Sequence, residues 1–239
     1  MAKRDPAEWE VREHGPIEPI AENLWRVTGS LPGMSLRRVM VVVRLSDGRL
    51  LLHSAIAMRE PQMKELEALG PIAFLIVPNR AHRLDAPRYR RRYPDARVLC
   101  PRAARAKVAE VVPVDGTYED FPSDPTARFE PLHGTGDEEG VLLVTSGDGT
   151  SVVLNDAVMN MDRKRDPLGF FFTTLLGSAP GPRVSRLAKL VFVKDKRALR
   201  ADLERLAALP DLRRLFVAHE KVAEGPDARA ALLRAATYL

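Results

Sequence analysis

A strand, an Asp-Gly turn and a second strand ending in polar residues occur twice in this chain of 239 residues. No other feature restricts its fold as much. The first copy runs from Arg38 to Leu45, turns at Ser46-Asp47-Gly48 and returns over Arg49 to His53, with Ser54 next. The second runs from Val141 to Thr145, turns at Gly147-Asp148-Gly149 and returns over Ser151 to Leu154, with Asn155-Asp156 next. Asp-Gly tolerates the positive φ of a tight hairpin, so each copy reads as an antiparallel pair. The match is loose, and the second copy is one residue longer after its glycine. It implies two similar β-rich halves, each followed by helices.

The rest of the pattern fits that frame. A further strand reads over residues 23–28, and Pro61 to Leu69 reads as a helix with Met63, Leu66 and Leu69 on one face. Pro at its first turn and Gly70-Pro71 beyond it are the expected start and stop. Ile72 to Val77 is an unbroken apolar run of strand length, which predicts burial on both faces. Helices are predicted over residues 86–93, 102–111, 196–209 and 226–239, and strands over 97–100, 127–132 and 215–218. Residues 1–16 are polar and aperiodic and read as a tail or an early edge strand. Hairpins mixed with strand–helix units predict an α/β protein with two mixed sheets between helical layers, one domain over residues 17–239.

Charge is concentrated. The chain carries 37 Lys and Arg, of which 29 are Arg, and a net +5. Residues 80–107 hold ten basic residues against Asp85 and Asp95, a local +8 that leaves the remainder at −3. A solvated helix face accounts for that patch better than nucleic-acid binding, although Tyr89 and Tyr93 interleave its arginines. Cys100 is the only cysteine, which excludes an internal disulfide, and it reads as a small buried apolar residue. The N-terminus lacks the apolar core of a signal peptide, and no apolar run approaches the ~18 residues that span a bilayer. The longest, Leu168 to Leu176, reads as buried loop packing, with a lid or a partner surface as alternatives. The expectation is a soluble, cytoplasmic protein.

Three histidines share a position type. His82 lies four residues past Pro78, His133 follows the strand ending at Leu132, and His219 follows the strand ending at Ala218. Asp156 follows Leu154 in the same way. Sheets fix the Cα positions at strand ends while loops leave the head groups accessible, so ligand groups collect there. Three imidazoles and one carboxylate suit Zn²⁺, or Fe or Mn. Gly134-Thr135-Gly136 is too short for a phosphate loop and lacks the following Lys.

The order and context of these residues resemble the metallo-β-lactamase superfamily, over about residues 17–239. Val77-Pro78-Asn79-Arg80-Ala81-His82-Arg83-Leu84-Asp85 resembles its HxHxDH region in reduced form, and Leu132-His133-Gly134-Thr135-Gly136 its third-histidine turn. Asp156 in Leu154-Asn155-Asp156-Ala157 resembles the bridging aspartate, and His219 in Phe216-Val217-Ala218-His219-Glu220 the last histidine. The Pro78-Asn79…His82 variant, residues 156–160 and Val193-Lys194-Asp195-Lys196 are similar to an uncharacterised branch of that superfamily. The resemblance implies a four-layer αββα sandwich and at most one metal ion, held by His82, His133, Asp156 and His219. Asp156 would be the fourth ligand or the catalytic acceptor that orients the attacking water. His53-Ser54 stands where the superfamily often has an aspartate, and would support the ligands rather than bind the metal.

Two functions follow. One is a metal-dependent hydrolase. The other is a catalytically inactive scaffold of the same kind that binds an anionic small molecule through Asn79, Arg80, Arg83 and Asp85, where arginines line the rim of the reduced motif.

Overall fold

The strand periodicities resolve into two sheets packed face to face in the computed structural model, which describes residues 5–239. The first sheet contains β1 (Glu18–Ala21), β2 (Leu24–Leu31), β3 (Met34–Arg44), β4 (Leu50–His53), β5 (Ile72–Ile76), β6 (Arg97–Cys100) and β7 (Gly116–Thr117), side by side in chain order. Strands β1 to β4 pair antiparallel and β4 to β7 pair parallel. The second contains β8 (Ala127–Pro131), β9 (Gly140–Ser146), β10 (Gly149–Val153), β11 (Leu212–Phe216) and β12 (Ala223–Glu224), in the order β12-β11-β10-β9-β8. Here only β10 and β11 are parallel. Both predicted hairpins form, β3–β4 and β9–β10, and in each half the returning strand then pairs in parallel with the next one.

Alternation along the strands explains the layers. Val39, Val41 and Val43 of β3 point between the sheets, where they meet Leu51, Phe74, Leu142, Val153 and Phe216. Met40 and Val42 point the other way, onto α1 (Glu60–Ala68), α2 (Ala86–Arg92) and α3 (Arg105–Ala109). On the second sheet Val152 and Leu154 face outward with Leu143 and Leu215. They are covered by residues of α5 (Arg186–Val191), α6 (Lys196–Ala207) and α7 (Pro226–Ala236), while α4 (Pro167–Phe170) and a π-helical turn over Phe171–Leu175 lie between β10 and α5. The architecture is the predicted αββα sandwich.

Residues 5–16 do not trail away from this body. Trp9 donates its indole N–H to the Met58 carbonyl at 3.1 Å, and His14 Nε2 accepts the Arg59 N–H at 3.0 Å. His14 also forms an isolated bridge to Gly29 of β2, so this stretch lies against the sheet without forming a strand of its own. Residues 1–4 lie outside the described residues. The basic segment is likewise absorbed. Arg88 pairs with Asp85 and Glu10, Arg90 with Asp115, Arg91 with Asp5, Arg92 with Glu60 and Glu67, and Arg102 with Glu119. No helix among the described residues is long and apolar enough to cross a membrane.

Cys100 is fully buried against the first helical layer, and burial pushes its thiol up to about 11 despite the nearby Arg105. A thiol that is neither ionised nor accessible is inert. Folded protein is therefore expected to resist alkylation near neutral pH and to react once per chain after denaturation. Labelling of the native state, read by mass spectrometry, would contradict this placement.

Candidate metal centre

The two polar strand ends that close the repeated hairpins meet on one side chain. Ser54 follows β4, Asp156 lies three residues past β10, and His82 sits in the loop between β5 and α2. Ser54 Oγ is 3.3 Å from His82 Nδ1, and His82 Nε2 is 3.2 Å from Asp156 Oδ1. His219, beyond the end of β11, completes the group with Nε2 3.5 Å from the same Asp156 oxygen. These positions follow from topology. Strands β4 and β5 are parallel neighbours, as are β10 and β11, so each pair delivers two chain ends to one edge of its sheet. The sheets are tied together there by the Val39 N–H, which donates to the Ala218 carbonyl at 2.9 Å.

His82, Asp156 and His219 each offer one ligand atom, and the three atoms lie within 4.8 Å of one another. A tetrahedral ion with bonds of about 2.0–2.1 Å separates its donors by roughly 3.3 Å, and both donor distances to Asp156 bracket that value. The His219 Nδ1–H donates to the Arg37 carbonyl at 2.8 Å, which leaves the Nε2 lone pair facing Asp156 when the ring is neutral.

Beneath them lies an acid the sequence reading missed. Glu139 is buried and accepts from Asn79 Nδ2 at 2.8 Å and from the backbone N–H groups of Asp156 and Ala157, both at 2.9 Å. Asn79 Nδ2 also donates to Asp156 Oδ2 at 2.9 Å, and its Oδ1 accepts the Ala81 and His82 N–H groups. That pattern fixes which end of the amide is nitrogen. One buried amide thus orients the aspartate and the start of the histidine loop together.

The charges are unbalanced. Burial pushes Glu139 up, and the Asp156 carboxylate pushes it further. Burial also opposes charge on Asp156, but His82 and His219 outweigh it and hold that carboxyl well below its usual range. Burial disfavours charge on His219 too, yet Asp156 raises its pKa overall. Among the described residues no Lys or Arg forms an ion pair with Asp156 or Glu139. One buried carboxylate set between two imidazoles, with no Lys or Arg paired to it among the described residues, makes a donor set that fits a divalent cation.

The other expected residues go elsewhere. His133 is not in the cluster: its ring is largely exposed and donates Nδ1–H to Asp202 of α6 at 3.0 Å. Its turn is docked on that helix, because the Gly134 carbonyl accepts the Lys194 and Asp195 N–H groups. A Cβ at Gly134 would fall 2.2 Å from the Asp195 carbonyl oxygen, so the glycine permits the approach. Of the four expected ligands, the structure brings three together and leaves His133 apart. Asp85 is not available to a ligand either, since it is buried between Arg38 and Arg88 and accepts the Ala57 N–H at 3.0 Å. Arg83 turns away to the Lys107 carbonyl and to Glu110, 3.0 Å away. Arg80 does face the site, with its guanidinium over the Phe192 ring and 3.7 Å from Glu138. Asn79 positions ligands instead of contacting the cavity.

His82, Asp156 and His219 open into a cavity of 390 Å³. It is lined by Leu31, Met34 and Leu36 of the β2–β3 hairpin, by Met159, Met161 and Phe172, and by Leu187, Val191 and Phe192 of the α5 region. In place of the expected arginine-lined rim stands a mostly apolar wall that includes Arg80 and the Asp85-bound Arg38. Leu168, Phe170, Phe171 and Leu175 are 44–54 % exposed, so the 168–176 segment is not buried packing.

No family model matches this chain, and no curated protein matches it in sequence. Solved structures do. A metallo-β-lactamase from Pontibacter korlensis is 13 % identical with a TM-score of 0.59, the match covering 93 % of this chain and 99 % of that one. DIM-1 metallo-β-lactamase exposed to ceftazidime is 14 % identical with a TM-score of 0.64, covering 96 % and 97 %. A metallo-β-lactamase from Erythrobacter litoralis, with β-mercaptoethanol in its active site, is 14 % identical with a TM-score of 0.61, covering 93 % and 96 %. The likeness spans both chains nearly end to end and is one of fold.

Proposed function

We propose that this chain, which has the metallo-β-lactamase fold, is a metal-dependent hydrolase with a one-ion centre built from His82, Asp156 and His219. The observation that carries this reading is the convergence of three donors from three strand ends on the floor of a cavity, with the cavity itself on their open side. A bound divalent cation there would supply Lewis acidity, polarising a carbonyl oxygen and making a water acidic near neutral pH.

The chain's own residues do the rest. The Arg37 carbonyl and Ser54 Oγ orient the two rings, and the Asn79 amide orients the carboxylate. Asp156 Oδ1, set between two Nε2 atoms, serves as an anionic ligand in preference to a water-orienting base. The apolar walls exclude bulk water from the reacting bond. Hydrolysis then places the water oxygen on the electrophilic carbon, breaks its bond to the leaving atom and sends a proton to the leaving group.

Protein purified without chelators is expected to carry close to one equivalent of a single transition metal. Its hydrolysis of simple aryl esters should vanish on chelation and return with Zn²⁺, Fe²⁺ or Mn²⁺. Less than ~0.1 equivalent after incubation with each of these ions would overturn the reading in favour of non-catalytic ligand binding.

A further inference from the structure

We propose, building on the hydrolase reading, that the substrate is an acyl compound: an apolar chain in the cavity, joined through a hydrolysable carbonyl to a polar leaving group. The composition of the cavity carries this. Its buried end holds Ser54, His82, Asp156 and His219, while Leu31, Met34, Phe172 and Val191 are partly exposed and form its mouth. A ligand that satisfies both ends has a polar head inside and an apolar body running outward. A volume of 390 Å³ lies within the ~300–1,000 Å³ of small-molecule sites. Met34, Met159 and Met161 give walls that adapt to chains of different shape.

The charge of the cavity favours a carbonyl over a phosphoryl head. Phosphate recognition calls for several free cationic donors. Arg38 lines the cavity but is bound to Asp85, and Arg80 already contacts Glu138 and Phe192. What remains suits a neutral acyl carbonyl and, after cleavage, one carboxylate near Arg80.

The apolar surface continues beyond the mouth. Of the seven large apolar residues exposed among the described residues, five (Leu168, Phe170, Phe171, Leu175 and Leu190) come from the two segments that also supply Phe172 and Val191. Phe171 packs edge-on against Phe172 with ring centroids 5.7 Å apart, and Leu168 lies beside Gly33 at the turn of the β2–β3 hairpin, so these two carry the apolar wall outward from the mouth. In the reaction the acyl–heteroatom bond breaks, water supplies hydroxyl to the acyl carbon and a proton to the leaving group, and the resulting fatty acid releases its remaining proton to solvent and departs as its carboxylate.

Product analogues test this without turnover. Hexanoate, octanoate and decanoate are titrated calorimetrically into metal-stripped and metal-loaded protein, below their micellar concentrations. Affinity is expected to rise about three- to fourfold per methylene in both forms, the increment of a fully buried CH₂. Val191→Asp, or Leu187→Ser if that variant does not fold, should flatten the series. No binding, no dependence on length, or a slope that persists in a folded wall variant would overturn the acyl assignment. Because the series is run with and without metal, failure of the metal centre alone leaves the chain-length slope intact, and failure of the acyl assignment leaves metal binding intact.

Discussion

Asp156→Ala is expected to lower affinity for a divalent ion by more than about 100-fold, since loss of an outer support alone costs 10–100-fold. Asp156 is the one anionic donor among the three clustered ligands, and both imidazoles are arranged around its Oδ1. Its loss leaves two neutral nitrogens and an Asn79 amide without one of its acceptors. Asn79→Ala keeps all three ligands but frees the carboxylate and the His82 loop, so its loss should fall within 10–100-fold. Competition against a chromogenic chelator measures both. An Asp156→Ala protein that binds within tenfold of the parent would remove the aspartate from the centre.

Asp85→Asn is expected to destabilise the fold by about 3–5 kcal/mol, the cost of breaking a buried ion pair by removing one partner. The side chains of Arg38, Asp85 and Arg88 are 5 %, 1 % and 6 % exposed, and the carboxylate holds both guanidiniums. It also accepts the Ala57 N–H, so the amide disturbs the chain beyond β4 as well. Arg88 retains Glu10 and the Glu8 carbonyl, whereas Arg38 retains only the Ala55 carbonyl, so Arg38 bears most of the loss. Urea unfolding reads the difference, and a shift below ~1 kcal/mol would show that the triad is solvated in solution. Because Arg38 also lines the cavity, the same variant exposes a cation to the ligand and should tighten binding of alkyl carboxylates at every chain length.

The layers were legible because their signals are local. Alternation in Arg38 to Leu45, the Asp-Gly turns and the apolar run at Ile72 are written in neighbouring residues, and each formed within a few residues of its expected place. The site was legible only as a position type. Asp156 and His219 follow adjacent parallel strands and so meet. His133 follows β8, which runs in the same direction but lies two strands from β10, about 10 Å away at normal strand spacing. Strand-end position could not separate these cases, since strand order was unknown.

Glu139 escaped for a different reason. It ends the run Asp137-Glu138-Glu139, and an acidic run in a loop ordinarily faces solvent. The start of β9 at Gly140 carries it inside, where Asn79 and two backbone N–H groups meet it. The basic segment misled through the same blindness to distance: its +8 counted arginines whose partners, among them Glu60, Glu67 and Asp115, lie 25 to 32 residues away. Arg83 is taken by Glu110 in the same way, which removes the rim that a local count suggested.

Anomalous diffraction from crystals grown with Zn²⁺ or Co²⁺, recorded across the absorption edge, tests the one-ion centre most directly. The account predicts one peak within about 2.0–2.2 Å of His82 Nε2, His219 Nε2 and Asp156 Oδ1, with His133 still on Asp202. No peak there, or a peak that recruits His133, would contradict it.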